Sequence, residues 1–231
     1  MNWLVRGLNS SIGTKYLMAV TGLLLLLFVI THMVGNLQIY LGPEVFNGYA
    51  EMMQGLGTLL WAMRLGLLLI LLVHVRCAVK LTAEAKEARP VPYAMKRSVA
   101  ASYASRTMFM TGMIVLAFIV FHILHFTTGT FHADLYAEAH EGSHPDMYSM
   151  FVKSFHHAPT AIAYMTAMVL VGIHLSHGVS SLFQSMGFVR PKYREMIRVT
   201  GLGITGAIVA GNISMPLMCI MNIVEVPGVS S

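Results

Sequence analysis

The chain has 231 residues, of which 56% are hydrophobic and 11% charged, and its mean hydropathy is +0.67. Soluble domains carry about a quarter of their residues as Asp, Glu, Lys and Arg, so the composition excludes an ordinary soluble domain and indicates a chain lying mostly in lipid. The net charge of +5 does not indicate a nucleic-acid partner, because the basic residues occupy short connections between apolar runs. Cys77 and Cys219 lie inside apolar stretches, which excludes a disulfide framework, a zinc ligand set and a covalent haem c motif.

Five apolar segments predict an all-α integral membrane protein, because each is long enough to cross a hydrocarbon core of about 30 Å. In chain order they lie near residues 16–37, 60–81, 107–126, 160–183 and 199–221. The connection at 82–106 is basic and polar, and the connection at 127–158 is acidic and rich in histidine. Residues 1–231 are therefore expected to form a single transmembrane domain.

Histidine occurs in each of the first four predicted helices and is absent from the fifth. In chain order the helices carry His32, then His74, then His122 and His125, then His174 and His177. Ionisable residues inside spanning segments are rare and indicate function. One such histidine alone is more often a core residue bonded to a neighbouring carbonyl, but four helices out of five are poorly explained in that way.

Lys and Arg are distributed unevenly between the two sides of the predicted bundle. The N-terminus, the second and fourth connections and their flanking helix ends hold 13 of the 15, namely Arg6, Lys15, Arg76, Lys80, Lys86, Arg89, Lys96, Arg97, Arg106, Arg190, Lys192, Arg194 and Arg198. Only Arg64 and Lys153 fall on the other side. This bias predicts a cytoplasmic N-terminus and a C-terminus outside.

The histidines are expected at two depths. His32 and His122 each lie 16 residues beyond the inner end of an outward-running helix, which is about 24 Å along its axis and reaches the outer half of the membrane. His74 and His174 lie past the midpoints of inward-running helices, in the inner half. Each depth therefore contains one pair of imidazoles, drawn from two different helices.

Two such pairs suit two b-type haems, because low-spin haem iron takes one imidazole on each face and facing helices supply them. Zinc or copper would need three or four ligands at one depth. Depth favours His122 over His125, and His174 is more central than His177. For His125 and His177, hydrogen bonds to a haem propionate, to a quinone or to backbone neighbours all remain open.

Two glycines add a weaker signal. Gly22 and Gly112 each precede an outer histidine by ten residues, about 15 Å along the helix, which reaches the level of the inner pair. A glycine there would let a porphyrin lie against the helix backbone, and ordinary small-residue helix packing explains it equally well. Phe28 and Phe118 each stand four residues before the histidine, so the first and third helices resemble each other.

An ordered set of motifs covers about residues 8–216. It consists of S-S-I-G-T-K-Y-L-M-A-V-T-G, T-H-M-V-G-N-L, F-N-G-Y-A, A-R-P, S-R-T-M, F-H and I-H-L-S-H-G. The set resembles the di-haem cytochrome b558 membrane subunit of succinate:quinone oxidoreductases, a family that includes the quinol:fumarate reductases.

The resemblance implies a five-helix anchor in the bacterial inner (cytoplasmic) membrane. Such an anchor docks a flavoprotein subunit with FAD and an iron–sulfur subunit on the cytoplasmic face. It conducts electrons between them and a membrane quinone, usually menaquinone, while dicarboxylate chemistry belongs to the partners. By resemblance, His74 and His174 hold the haem on the iron–sulfur side, and His32 and His122 hold the outer haem.

Polar residues at the two membrane faces are candidates for binding quinone and haem propionates. At the outer end of the first helix and just beyond it lie Asn36, Gln38, Tyr40, Glu44, Asn47, Glu51 and Gln54. A quinone site needs a proton-exchanging group, for which Glu51 is preferred, although a solvated surface carboxylate is an equally good interpretation. The inner-side candidates for propionates are Ser10, Ser11, Lys15, Lys80 and Arg106, and loop cations of this kind are often topology determinants only.

Two alternatives remain open. The chain could be the di-haem anchor of another quinone-linked enzyme, such as a hydrogenase or a formate dehydrogenase. It could instead be a proton transporter with a histidine relay, although a relay needs polar groups at graded depths rather than at two levels. The direction of catalysis, the quinone type and the number of copies are not determined by the residues.

Overall fold

The computed structural model describes residues 3–88, 103–141 and 144–228, and the regular elements in these ranges are helices. The basic residues Arg89, Lys96 and Arg97, which were counted for orientation, lie outside the described residues. The elements are α1 (Trp3–Asn9), α2 (Ser11–Asn36), α3 (Pro43–Gly55), α4 (Thr58–Glu87), α5 (Tyr103–Phe126), α6 (Ala133–Ala139), α7 (Met147–His156), α8 (Ala158–Ser185) and α9 (Arg194–Ile220), with 3₁₀ turns at Leu37–Leu41 and Pro191–Tyr193.

Five of these helices, α2, α4, α5, α8 and α9, are long and apolar enough to cross a membrane. The predicted all-α architecture with five helices of membrane-spanning length is therefore confirmed for the described ranges. Two helices extend beyond their apolar segments. The α2 helix begins at Ser11 because the Ser10 side chain accepts a hydrogen bond from the Gly13 backbone N–H at 3.1 Å. The α4 helix continues to Glu87 because the sequence A-E-A-K-E at 83–87 consists of strong helix formers.

The contacts define two ends of the bundle. Thr14, near the start of α2, lies 3.1 Å from Lys80, near the end of α4, so these helices are antiparallel. The α5 and α8 helices are antiparallel as well, because a residue late in α5 contacts one early in α8. We call the end where α2 and α5 begin the basic end, and the end where they finish the capped end.

Small residues allow α8 and α9 to pack closely. A Cβ atom on Gly172 of α8 would lie 2.6 Å from Val209 Cγ2, and one on Gly201 of α9 would lie 3.1 Å from Val179 Cγ1. This close packing leaves the helices unequally covered. A third (33%) of the most apolar stretch of α8 is buried, whereas no residue in that of α4 is buried by the rest of the chain. The chain itself therefore leaves much of α4 uncovered.

The capped end is closed by α3 and α7, which lie in segments predicted as connections. Phe46 of α3 and Phe151 of α7 are buried in one cluster with residues from the ends of α8 and α9. Asn47 joins the two short helices, donating to Asp146 Oδ1 at 3.0 Å and accepting from the Tyr148 N–H at 2.8 Å. The α7 helix was not predicted because its apolar run is too short to span a membrane.

Asp146 fixes the start of α7 by accepting a hydrogen bond from the Ser149 N–H. Burial acts to raise the pKa of Asp146, but hydrogen bonds from Ser149 and Asn47 and the charge of Lys153 bring it below its usual value. The carboxylate therefore stays ionised and holds the cap in place at neutral pH.

Candidate functional site

The first histidine of the inner level is held between α4 and α2. The His74 ring lies beside Thr21, whose Oγ1 atom is 3.1 Å from His74 Nδ1. It also lies near the backbone of Met18, one turn earlier in α2. A Cβ atom on Gly22 would lie 3.2 Å from His74 Cε1, so the absence of a side chain there lets the imidazole approach α2.

The same arrangement recurs between α8 and α5. Thr111 Oγ1 lies 3.4 Å from His174 Nδ1, and the His174 ring lies near the backbone of Met108. A Cβ atom on Gly112 would lie 3.1 Å from His174 Cε1. The helix pairs α2–α4 and α5–α8 therefore hold one histidine each in the same way.

The hydrogen bonds assign the tautomer of both inner histidines. The Thr21 hydroxyl donates to the Leu17 carbonyl oxygen at 2.7 Å, and the Thr111 hydroxyl donates to the Thr107 carbonyl oxygen at 3.0 Å. Each hydroxyl has one proton, and when the carbonyl oxygen takes it, the hydroxyl accepts from the histidine Nδ1–H. The Nε2 lone pair is then free, which is the state that a metal-ligating histidine needs.

The threonines and methionines of this arrangement were not predicted. Their signal is nevertheless in the sequence, because α2 and α5 share the pattern M-x-x-T-G-x5-F-x3-H at residues 18–32 and 108–122. Gly22 and Gly112 lie at the predicted level, and what they contact is the imidazole itself. Their predicted contact with a porphyrin stays a prediction.

The outer level brings together His32 of α2 and His122 of α5. Their ring centroids are 5.7 Å apart and the rings are nearly perpendicular, at 88°. Phe28 stacks on His32 with a centroid separation of 5.3 Å, and Phe118 lies 6.1 Å from His122. The two levels are ten residues apart along α2, or about 15 Å.

His32 has a hydrogen-bond partner on the atom that would bind a metal. The Asn36 side-chain amide donates to His32 Nε2 at 3.3 Å and to the His32 carbonyl oxygen at 2.8 Å. Nε2 therefore accepts and Nδ1 carries the proton, which is the tautomer required for ligation through Nε2. For His32 Nε2 to bind a metal, the Asn36 amide would have to move away from that nitrogen, while its shorter hydrogen bond to the His32 carbonyl oxygen could be kept.

His122 belongs to a network that includes His125. The Tyr164 hydroxyl lies 3.4 Å from His122 Nδ1 and 2.9 Å from His125 Nδ1, and His125 Nε2 lies 3.2 Å from Ser154 Oγ. If His122 Nδ1–H donates to Tyr164, the tyrosine donates to His125, which in turn donates to Ser154. This order leaves His122 Nε2 free.

His125 and His177, the two histidines not preferred as metal ligands, have different surroundings. His125 is fully buried, and both of its ring nitrogens have protein partners. Neither nitrogen of His125 is therefore free to bind a metal in this structure, and the choice of His122 as the ligand stays a prediction. His177 is half-buried one turn beyond His174 on α8.

The four paired histidines remain accessible to molecules that could lie between the helices. His32 is exposed, and His74, His122 and His174 are only half-buried by protein atoms, although their helices are apolar enough to span a membrane. Imidazoles in contact with lipid would be unfavourable. Two imidazoles per level, each with a free or freeable Nε2, could hold one haem iron between them.

The candidate quinone residues at the capped end are divided between structural and surface roles. Glu51 of α3 is exposed, and its Oε1 atom lies 2.7 Å from His144 Nδ1 rather than beside the outer pair. Tyr40 donates to Ser214 Oγ at 2.8 Å, tying the turn after α2 to α9. Asn47 joins α3 to α7. The proposed role of Glu51 stays a prediction.

The candidate propionate residues at the basic end also have separate surroundings. Ser10 caps α2, and the Ser11 hydroxyl donates to Glu84 Oε2 at 2.9 Å. Lys15 is exposed and lines an open cavity of about 380 Å³ with Ile12, Ser181, Gln184 and Ser185. Arg106 is exposed at the start of α5. Lys15 is therefore the candidate with space beside it for an anionic group.

Within the described ranges, no group of three or more His, Cys, Asp or Glu side chains is placed to hold a metal ion. No protein-family model, no curated protein and no solved structure matches this chain. The functional assignment therefore depends on the histidine geometry and on the motifs.

Proposed function

We propose that the chain is a di-haem cytochrome b, the membrane-anchor subunit of a succinate dehydrogenase or fumarate reductase complex. In this proposal His74 and His174 are the axial ligands of an inner haem b. His32 and His122 are the axial ligands of an outer haem b. The observation that carries the proposal is the side-by-side placement of His32 and His122, together with His74 and His174 held in the same way against α2 and α5, ten residues nearer the basic end.

Bound haem would supply reversible one-electron transfer, with a potential set by its ligands and their surroundings. The chain's own residues would keep each ligand in the correct tautomer. In that tautomer Thr21 and Thr111 would accept from the inner histidines, and Tyr164 would accept from His122. Such partners orient metal-bound imidazoles and raise their basicity. Gly22 and Gly112 provide the space that the inner rings need.

In the proposed complex, the basic end faces the cytoplasm and docks the iron–sulfur subunit, to which the flavoprotein with FAD binds. Electrons then pass between that subunit and a quinone, menaquinone by resemblance, at the capped end. Lys15 and Arg106 are proposed to pair with propionates of the inner haem. Glu51 is proposed to exchange protons with the quinone, and its exposure gives it access to water.

A histidine-relay proton transporter is the second candidate, favoured by the contacts of His122 and His125 through Tyr164. A transmembrane relay would need protonatable groups between the two levels. The intervening segments 23–31, 65–73, 113–121 and 165–173 contain no Asp, Glu, His, Lys, Arg, Tyr or Cys. Electron transfer between two redox groups needs no such residues, so the cytochrome is the better proposal.

The deciding experiment is a pyridine-haemochrome count on the purified chain, for which we expect two haems b per polypeptide. A count near one or zero would contradict the proposal, and a chain without haem absorbance would favour the transporter. Co-purification with a flavoprotein carrying covalent FAD distinguishes this family from the di-haem anchors of hydrogenases and formate dehydrogenases.

A further inference from the structure

A row of three histidines leads from the region of the outer pair to the surface at the capped end. His125 is fully buried, and its ring centroid lies 5.1 Å from that of His132. The His132 ring lies 5.3 Å from that of His157, which is exposed at the start of α8. Two steps between imidazoles therefore connect a fully buried nitrogen with the protein surface.

His132 has two unfavourable features in one residue. Its φ angle is +56°, in the left-handed region that is uncommon for residues other than Gly, although His, Asn and Asp adopt it more often than the rest. Its Nδ1 atom is buried and has no hydrogen-bond partner in the part of the chain that the structure describes. A buried nitrogen without a partner costs stability, and with the uncommon backbone conformation it points to a function at this position.

We propose that His125, His132 and His157 form a proton-exchange chain between the interior beside the outer histidine pair and the water at the capped end. Imidazole suits this task because it carries a donor and an acceptor nitrogen and titrates near neutral pH. Insofar as the protons belong to quinone chemistry, the inference rests on the proposed function.

The transfer balances in protons and electrons. Oxidation of one quinol to the quinone releases two protons and two electrons, and the electrons pass to the redox groups of the complex. Each imidazole accepts a proton on one nitrogen and releases one from the other, so it ends neutral, and rotation of the ring restores its tautomer. A rotation or one bridging water can close a centroid separation of about 5 Å, and the unpaired His132 Nδ1 is available for that contact. Quinone reduction uses the same route in reverse.

Polar groups contact this row at both of its ends. At the buried end, Ser154 Oγ of α7 lies 3.2 Å from His125 Nε2, so a turn of the His125 ring away from Ser154 is part of the proposed transfer. Tyr164 of α8 faces His125 at its buried end, where His122 of α5 also interacts with it electrostatically. At the surface end, Thr160 Oγ1 lies 2.8 Å from His157 Nδ1 and holds that ring in position. The row therefore has one buried end and one end in contact with water.

The test replaces His132 and His157 separately by Asn, which tolerates the left-handed conformation but does not take up or release a proton near neutral pH. The matched controls are His140→Asn, in the same connection with its ring on the Tyr136 carbonyl oxygen, and His156→Asn, an exposed neighbour of His157. We expect His132→Asn and His157→Asn to slow quinol-linked turnover of the complex at least about tenfold. Both controls should match the wild type, and haem content should not change.

A second readout separates this inference from the proposed function. NMR on protein labelled with nitrogen-15 histidine measures how fast the His125 ring proton exchanges with water. This exchange should be slower in His132→Asn and in His157→Asn than in the wild type. If exchange in His157→Asn is as fast as in the wild type, the proton chain is wrong whatever the turnover shows. Because His157 is exposed, His157→Asn still tests the proton chain if His132→Asn does not fold. If exchange slows but the wild type carries no haem and oxidises no quinol, the proton chain stands and the cytochrome proposal fails.

Discussion

The inner and outer histidine pairs differ in how they are held. Each inner histidine is fixed by the neighbouring helix alone, through the same Thr-Gly dipeptide and the same methionine backbone. The outer histidines touch each other and have unlike partners, Asn36 for His32 and Tyr164 for His122. The inner level is symmetric, whereas the outer level is not.

This difference suits different functions at the two levels. Two histidines held alike, each with its Nδ1 atom beside a threonine hydroxyl, would suit simple electron transfer. The outer level is connected through Tyr164 and His125 to Ser154 of α7, and so to the helices that close the capped end. Proton-linked chemistry needs such polar connections, so the asymmetric level is the one expected to work with quinone.

Removing a ligand should have the largest effect and should separate the two levels. His74→Ala or His174→Ala should lower the haem count from two to one by removing the inner haem, because iron loses one of its two axial ligands. His32→Ala or His122→Ala should remove the outer haem instead. Pyridine-haemochrome counts and low-temperature spectra of the variants measure both losses.

His125→Gln and His177→Ala are the controls for these substitutions. Both should keep two haems, because neither residue faces a partner histidine across a level. If either control removed a haem while His122→Ala or His174→Ala kept both, the choice of ligands would be wrong.

Glu51→Gln should act on the outer level alone. We expect quinol-linked turnover to fall by about 10²-fold, with both haems, assembly and dye-linked activity of the soluble partners retained. Glu44→Gln, in the first turn of the same helix, is the matched control. Unchanged turnover in Glu51→Gln would remove this carboxylate from the mechanism and leave Glu44 or the histidine row as the route for protons.

Residue spacing predicts part of this comparison and misses the rest for identifiable reasons. The five spans follow from hydropathy, and the meeting of His32 with His122 follows from helical rise, because both depend on local geometry. The contacts of His125 with Tyr164 and Ser154 could not be predicted, since they depend on how α5, α7 and α8 pack. The α3 and α7 helices were missed because short amphipathic helices within connections give no membrane-length signal.

The glycines at the inner level provide a finer test. In Gly22→Ala or Gly112→Ala the new Cβ atom would lie 3.2 or 3.1 Å from a histidine Cε1 atom, so the ring must move by a few tenths of an ångström. We expect two haems to remain, an altered electron paramagnetic resonance signal from the inner haem only, and a stability loss of about 1–3 kcal/mol. Gly66→Ala in α4, where no heavy atom lies within 4 Å, is the control. A change confined to the outer haem signal would contradict the assigned levels.

The smallest expected effect comes from the inner threonines. Thr21→Val removes an acceptor of the His74 Nδ1–H and so lowers the basicity of that ligand, which should raise the midpoint potential of the inner haem. One hydrogen bond is worth about 0.5–1.5 kcal/mol, or roughly 20–60 mV for one electron. Thr111→Val should shift the potential less, because its Oγ1 is 3.4 Å from the histidine rather than 3.1 Å. Thr31→Val, whose hydroxyl bonds only to carbonyls of α2 in the described contacts, is the control. Redox titration should show the outer potential unchanged in all three variants, and a larger shift there would mean that His74 and His174 do not belong to the inner haem.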